Sequence, residues 1–346
     1  MLGALYAVLC AAAFGFNNAS ARRGVLTGTA VQGMAISVPL GVPLFVIAAF
    51  LAGQLGEFDR LTPKSILLLS GAGFVHFVWA RYFNMLSLAA VGSNIAGPVQ
   101  QFQLLLSLTL AVIWLGESLT PLKVIGILLV IAGPSFVIHG RAANQRRDAR
   151  LHAQAALDAA PPIAEAAAAK PSAKPEFKPR MMEGYVFAFL ASLGFGLSPI
   201  MVSAGLKESG LSLLGGLVSY IAATLVVAVC LMIPRNFKQL GAINRTSLPW
   251  FVSAAFSVWV SHFFRYLALG IAPVTVVQPI QSLSLIFRMI FGHFINREHE
   301  VLDRYVIGGI ILSFAGALGL SISDEMVTQY FTLPQWLVPI AAWRWP

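Results

Sequence analysis

Residues 3–24 read GALYAVLCAAAFGFNNASARRG, and residues 184–205 read GYVFAFLASLGFGLSPIMVSAG. Laid on each other with a shift of 181, Gly3, Ala7, Leu9, Phe14, Gly15 and Gly24 fall on Gly184, Ala188, Leu190, Phe195, Gly196 and Gly205. The same shift carries Phe83 to Phe264, Pro98 to Pro279, Gln100 to Gln281 and Glu117 to Glu298. A two-residue slip brings IAG at 131–133 onto FAG at 314–316; the third and eighth spans fit less well, Arg81 and Tyr82 meeting Arg265 and Tyr266 only if three residues are dropped before the next helix, with Trp79 and Trp259 out of register either way. One shift that serves such distant segments marks an internal duplication. Shared oiliness alone does not produce it.

The repeated unit is made for a membrane. The chain of 346 residues is 58% hydrophobic and 11% charged, against roughly 25% charge in soluble domains. A hydrocarbon core about 30 Å thick needs roughly 20 apolar residues per helix. That window fits ten times, near 2–20, 30–52, 65–83, 91–115, 121–139, 183–205, 212–233, 248–269, 273–295 and 302–321. The expected architecture is an all-α membrane protein of ten transmembrane helices. An odd number in each half obliges the second half to enter from the opposite face, so the expectation is two inverted five-helix repeats, an arrangement typical of carriers whose site lies where the halves meet.

On this reading the first repeat spans 1–140 and the second 182–322. Residues 141–181 form a flexible basic Ala/Pro-rich tether, with a short helix around 146–157, and 323–346 an aromatic interfacial tail. The opening apolar run has no basic n-region and recurs in mid-chain, so it reads as the first crossing and not a signal. Cys10 and Cys230 are the only cysteines. Two isolated thiols in apolar spans give no disulfide framework and no metal cluster. The net charge of +9 sits mostly in loops, without the aromatic interleaving of a nucleic-acid face.

Polar side chains inside the oily spans are the informative exceptions, since each costs free energy in hydrocarbon unless partnered or wetted. The run from 91 to 117 carries Asn94, Pro98, Gln100, Gln101 and Gln103. Gly97, Gln100 and Ser107 share a helical face, and their equivalents in the ninth span are Gln278, Gln281 and Arg288, with Gln103 and Ser284 flanking the stripe. Such matched stripes suit a central hydrophilic cavity; amides that glue helices together are the other reading. Asn17 and Ser198, the polar residues after Gly15 and Gly196, join this set. Pro98 and Pro279 each free a carbonyl and are candidate hinges.

An intramembrane Arg is a functional candidate because its charge must be met. Arg288 is read as cavity-lining or snorkelling, Arg265 and Arg81 as snorkelling. His76 has Trp79 three residues on, and His262 has Trp259 three residues before, so each pair shares a face and walls the cavity or packs the core. All fourteen acidic residues lie at helix ends, in loops or in the tether. A proton-coupled carrier of organic cations wants a carboxylate at depth, so the balance favours an anionic, zwitterionic or neutral polar solute. Glu117 reads as steadying its turn. No Ser/His or His/Glu catalytic spacing appears at membrane depth, so no enzyme activity and no cofactor are expected.

AAAFGFNNASARRG at 11–24, LGFGLSPIMVSAG at 193–205 and WLGESLTPLKVIGILLVIAG at 114–133, with NREHEVLDRYVIGGIILSFAG at 296–316 as a degraded copy, resemble the drug/metabolite transporter superfamily, specifically its ten-helix EamA-type carriers. The resemblance implies export or exchange of small metabolites, amino acids, nucleotide sugars or drugs. It implies termini inside the cell. Loop charges point the other way: sixteen Lys and Arg on the tether side against six opposite put the tether in the cytoplasm. The expectation is a secondary transporter of a small polar metabolite working by alternating access in a bacterial cytoplasmic (inner) membrane. Its partners are a small-molecule substrate and membrane lipid, with no nucleic acid; a homodimer is one assembly open to it. A translocase of a lipid-linked or amphipathic substrate and a non-transporting membrane scaffold are the alternatives.

Overall fold

The computed structural model describes residues 1–91, 96, 99, 100, 102–158, 180–207, 209–295, 308, 311, 312, 315, 316 and 343. Among the described residues there is no strand, and the architecture is a helical bundle. Its helices are α1 (Leu2–Val25), α2 (Ala30–Leu51), α3 (Pro63–Val91), α4 (Phe102–Leu115), α5 (Pro121–Asp158), α6 (Met181–Leu206), α7 (Ser212–Leu231), a short amphipathic α8 (Pro234–Gly241), α9 (Leu248–Ile271), α10 (Val274–Gln281) and α11 (Ser284–Ile295). Seven stretches are long and apolar enough to cross a membrane: α1, α2, α3, α6, α7, α9 and the continuous pair α10–α11. Phe102–Leu115 and Pro121–Gly133 are apolar but shorter. The tenth expected span, the tail, Asn94, Gly97, Gln101, Glu298 and the candidate hinge Pro98 lie outside the described residues, apart from the few positions given above.

Helix boundaries depart from expectation in three places. α5 runs on through 141–158, because that stretch is rich in Ala, Arg and Gln and holds no Pro or Gly to stop it. α3 contains a π-helical turn over Phe74–Ala80. The ninth span breaks after Gln281, two residues beyond Pro279, which lacks an N–H and crowds the preceding turn; there Ser282 Oγ donates to the Pro279 carbonyl at 2.6 Å.

Local chemistry fixes several ends. Thr29 and Gln32 form a capping box at the start of α2, with Gln32 Oε1 accepting from the Thr29 N–H at 2.8 Å. Gly116 takes a φ of 66°, a left-handed turn that residues with a Cβ avoid. The chain there delivers Glu117 to the start of α10, where its carboxylate accepts from the N–H groups of Val274 and Thr275 at 2.8 Å each. Glu117 thus caps a helix 157 residues away. Its work is structural, but it reaches well beyond its own turn.

Packing runs mostly between the halves. α1 lies along α9 and α11, α2 along α7, and α6 along α3 and α4. Glycines permit the closest approaches: a Cβ on Gly3 would meet Ala272 and one on Gly15 would meet Phe287 and the Arg288 backbone, while one on Gly184 would meet Val91 and one on Gly196 would meet Leu106. These two contacts of α1 with the second half recur 181 positions on, between α6 and the first half. Beside the interface stands an aromatic core in which Tyr220 packs on Phe77 at 4.1 Å and on Phe45 at 5.1 Å between ring centroids.

Two consequences are measurable by thermal unfolding of detergent-purified protein. Gly15→Val and Gly196→Val should each destabilise by about 1–3 kcal/mol or prevent folding, as overpacking does, whereas Gly56→Ala, with nothing within 4 Å of a new Cβ, should leave the midpoint unmoved. Glu117→Ala should cost about 1–3 kcal/mol by leaving two α10 N–H groups without their acceptor, and Glu117→Gln should recover part of that.

Candidate functional site

A small polar cavity of about 50 Å³ lies between the halves. α1 contributes Cys10, Phe14 and Asn18; α3 contributes His76 and Asn84; α9 contributes Arg265. From the fourth span come Gln100 and Gln103, and from α10 and α11 come Gln278, Gln281, Ser284 and Arg288. The two amide stripes thus face one void. Phe14, Phe195 and His76 form part of its wall, and the Phe77 and Tyr220 rings stand behind His76 and His262.

Amides in the cavity are partly engaged with neighbours and not merely exposed. Gln100 Nε2 donates to Asn84 Oδ1 at 2.7 Å, and Asn84 Nδ2 donates to Asn18 Oδ1 at 3.3 Å. This relay links α4's approach, α3 and α1 through side chains alone. Opposite it, Gln278 Nε2 donates to Ser107 Oγ at 3.3 Å, and Gln281 Nε2 to Cys10 Sγ at 3.1 Å. Helix gluing and cavity lining are therefore done by the same residues.

The arginines do not snorkel. Arg81 and Arg265 are each 4% exposed and Arg288 6%. Arg81 Nε donates to Ser37 Oγ at 3.0 Å, and its Nη2 to Asn17 Oδ1 at 3.4 Å. Arg265 Nη1 donates to the His76 ring, 2.7 Å from Nδ1, and Nη2 donates to Ser198 Oγ at 3.1 Å. A guanidinium is too strongly charged to lie bare in hydrocarbon, and here polar partners reach it before the interface does. Positions 17 and 198, 181 apart, serve the two arginines in the same way.

Asn17, Ser107 and Ser198 accordingly stand just outside the cavity lining and act through residues near or in it. Trp79 is corrected more sharply: 40% exposed, it donates from Nε1 to the Leu190 carbonyl at 3.0 Å and lines a separate apolar groove. The π-helical turn explains this, since bonds running i to i+5 put more residues in each turn and a spacing of three no longer returns to one face. Trp259 also stands away from the cavity, packed on Phe45, Phe256 and Phe263.

Sequence reasoning passed over Asn18, Asn84, Cys10 and Arg265 as lining residues. Arg81, Asn84 and Ser87 recur every third position, a polar face readable from the sequence. Nothing in the sequence distinguished Asn18 from its neighbour Asn17. No group of three His, Cys, Asp or Glu comes together to hold a metal ion among the described residues.

Sixteen chains of solved structures match this one. A crystal structure titled only "Crystal structure of protein" superposes over 92% of this chain and 94% of its own, with a TM-score of 0.61 and 13% identity; at that identity the likeness is one of fold. No curated protein matches. The EamA-like transporter family matches over residues 1–138 and 182–322. Those two segments make up most of the chain and take in both sides of the cavity, so this integral membrane protein belongs to the EamA-like transporter family.

Proposed function

We propose that the protein is a secondary transporter that moves a small polar metabolite, anionic, zwitterionic or neutral, through this cavity by alternating access. The observation that carries the reading is the convergence of Gln100 and Gln281, equivalent under the 181-residue shift, on one polar void between the halves. Its complement is the traded contact set, in which α1 meets α9 and α11 as α6 meets α3 and α4. Such an exchange is what two repeats related by a twofold axis produce. With five spans in each of 1–140 and 182–322, that axis lies in the membrane plane and the repeats are inverted, the geometry from which carriers rock between inward and outward openings.

Opening and closing fit the same parts. The aromatic layer of Phe45, Phe77 and Tyr220, with His262 packed into it, adjoins the cavity wall at His76, and a dry packed layer of this kind closes one side while the other admits solute. Pro279 with the break after Gln281 offers a hinge beside the binding residues, since a few element-terminal residues absorb such motions. Pro98 is its counterpart by sequence. A lipid-linked substrate would need a continuous path from cavity to bilayer. The apolar groove between α2, α3 and α7 shares no lining residue with the polar cavity, which weighs against that alternative.

The test uses proteoliposomes and a solute that stabilises the purified protein in a thermal-shift screen. Gln100→Leu combined with Gln281→Leu should lower flux by about tenfold or more while the protein still elutes as a folded species, each amide contributing roughly one polar contact's worth of binding. Undiminished flux in the double variant would sink the cavity as the transport path.

A further inference from the structure

Two buried arginines, Arg81 and Arg265, are met by neutral acceptors and by no carboxylate among the described residues. Arg81, Arg265 and Arg288 are buried in spanning helices. Among the described residues the ion pairs are Arg60 with Glu57 and Arg180 with Glu183, both exposed. Glu117 is engaged at the α10 N-terminus. The acceptors around Arg81 are Ser37 and Asn17, and those around Arg265 are His76 and Ser198. All are neutral groups, for a ring nitrogen that accepts from a guanidinium is unprotonated. Neutral acceptors orient a guanidinium and soften its burial, but they leave its charge in place, and arginine does not shed its proton.

Of the three, Arg265 is the one presented to a ligand in a defined pose. It lines the cavity, whereas Arg81 does not. His76 and Ser198 each hold one terminal nitrogen, and the buried Nε has no hydrogen-bond partner among the described residues. Nε is itself sealed from the cavity, so the donors left for a ligand are the second N–H groups of the two terminal nitrogens. Arg288 adds a second cationic group to the same lining. Asn18, Asn84, Gln100 and Gln281 supply donors and acceptors for hydroxyl or amide groups on the rest of a solute.

We infer that the solute is a small organic anion whose carboxylate or phosphate group is bound by Arg265, with the amides reading its hydroxyl or amide groups. This rests on the transport reading for what happens after binding, though not for the binding itself. Neutral solutes would leave the buried charge unmet, and cations would meet repulsion. A charge-assisted contact of this kind outweighs one neutral hydrogen bond by about one order of magnitude in binding constant. His76 and Ser198 are positioning residues here, since they act on the ligand only through the guanidinium.

Thermal shift of the purified full chain, at matched ionic strength, decides it. Succinate and glycerol 3-phosphate serve as carboxylate and phosphate probes, mannitol as the neutral probe and choline as the cation. At millimolar concentration one or both anions should stabilise the wild type, and which one does tells carboxylate from phosphate; mannitol and choline should not. Arg265→Gln should weaken the effective anion by about 30-fold or more, and Arg265→Lys, which keeps the charge but loses the fork, should recover only part of that. Ser198→Ala should weaken it less and supplies a second reading if the Gln variant fails to fold. No shift from either anion, a shift from choline or mannitol instead, or an anion shift indifferent to Arg265→Lys and Ser198→Ala, would overturn the assignment. Flux separates the two claims: an anion that binds through Arg265 but never crosses a proteoliposome membrane sinks the transport reading and supports the site. Transport of choline or mannitol that Arg265→Gln leaves intact sinks the anion site and leaves the transport reading standing.

Discussion

Close helix contact at two glycines governs the interior. Gly15 lets α1 press onto α11 at Phe287 and Arg288, and Gly196 lets α6 press onto α4 at Leu106 and the Gln103 carbonyl. Without an apolar driving force between helices inside lipid, association depends on such tight backbone approach and on polar contacts across it. The two contacts pull the fourth and ninth spans inward from opposite halves. Their amide faces then have nowhere to turn but toward each other, and the void between Gln100, Gln278 and Gln281 follows from that geometry.

The membrane class, the duplication and the amide stripes were legible in the sequence because each is a matter of period and composition. Spacing along a straight helix predicted correctly that Gln100 and Gln281 share a void. It failed for Trp79 because the π-helical turn over Phe74–Ala80 rotates everything beyond it. That turn follows the point where Gly73 lies against the Ser219 backbone, a tertiary contact invisible to any local pattern. The extended α5 was readable in principle, since Pro and Gly are absent from 141–158. The sequence does point to a short helix around 146–157; what it does not show is that this helix continues the span from 121 without a break, because the composition of the whole 141–181 stretch reads as a tether.

The arginines show a second limit of sequence reasoning. Distance from a span end suggested that Arg265 and Arg81 reach for the interface, and long side chains do so when water is the nearest polar partner. In the folded chain the nearest partners are Ser37, Asn17, His76 and Ser198, contributed by other helices. Whether a cation snorkels is decided by which helices flank it, and that information lies in packing. The sequence did carry a hint, however: Asn17 and Ser198 match at the shift of 181, and Arg81 and Arg265 match once three residues are dropped.

That pairing also bears on why the two arginines differ in their surroundings. Were the halves identical, two equivalent arginines would flank the centre and neither would be preferred. Substitution at matching positions breaks the tie. Asn17 keeps Arg81 company with a longer arm, and Ser37 takes its Nε, so that guanidinium is bonded along its length. Ser198 is shorter, and the remaining partner of Arg265 is a ring from α3 in the opposite half, leaving Nε without one. The first arginine stands outside the cavity lining, whereas the second is part of it and keeps N–H groups on its terminal nitrogens beyond those given to His76 and Ser198. Matching positions of the two halves thus carry different side chains, and only one of the two arginines lines the cavity.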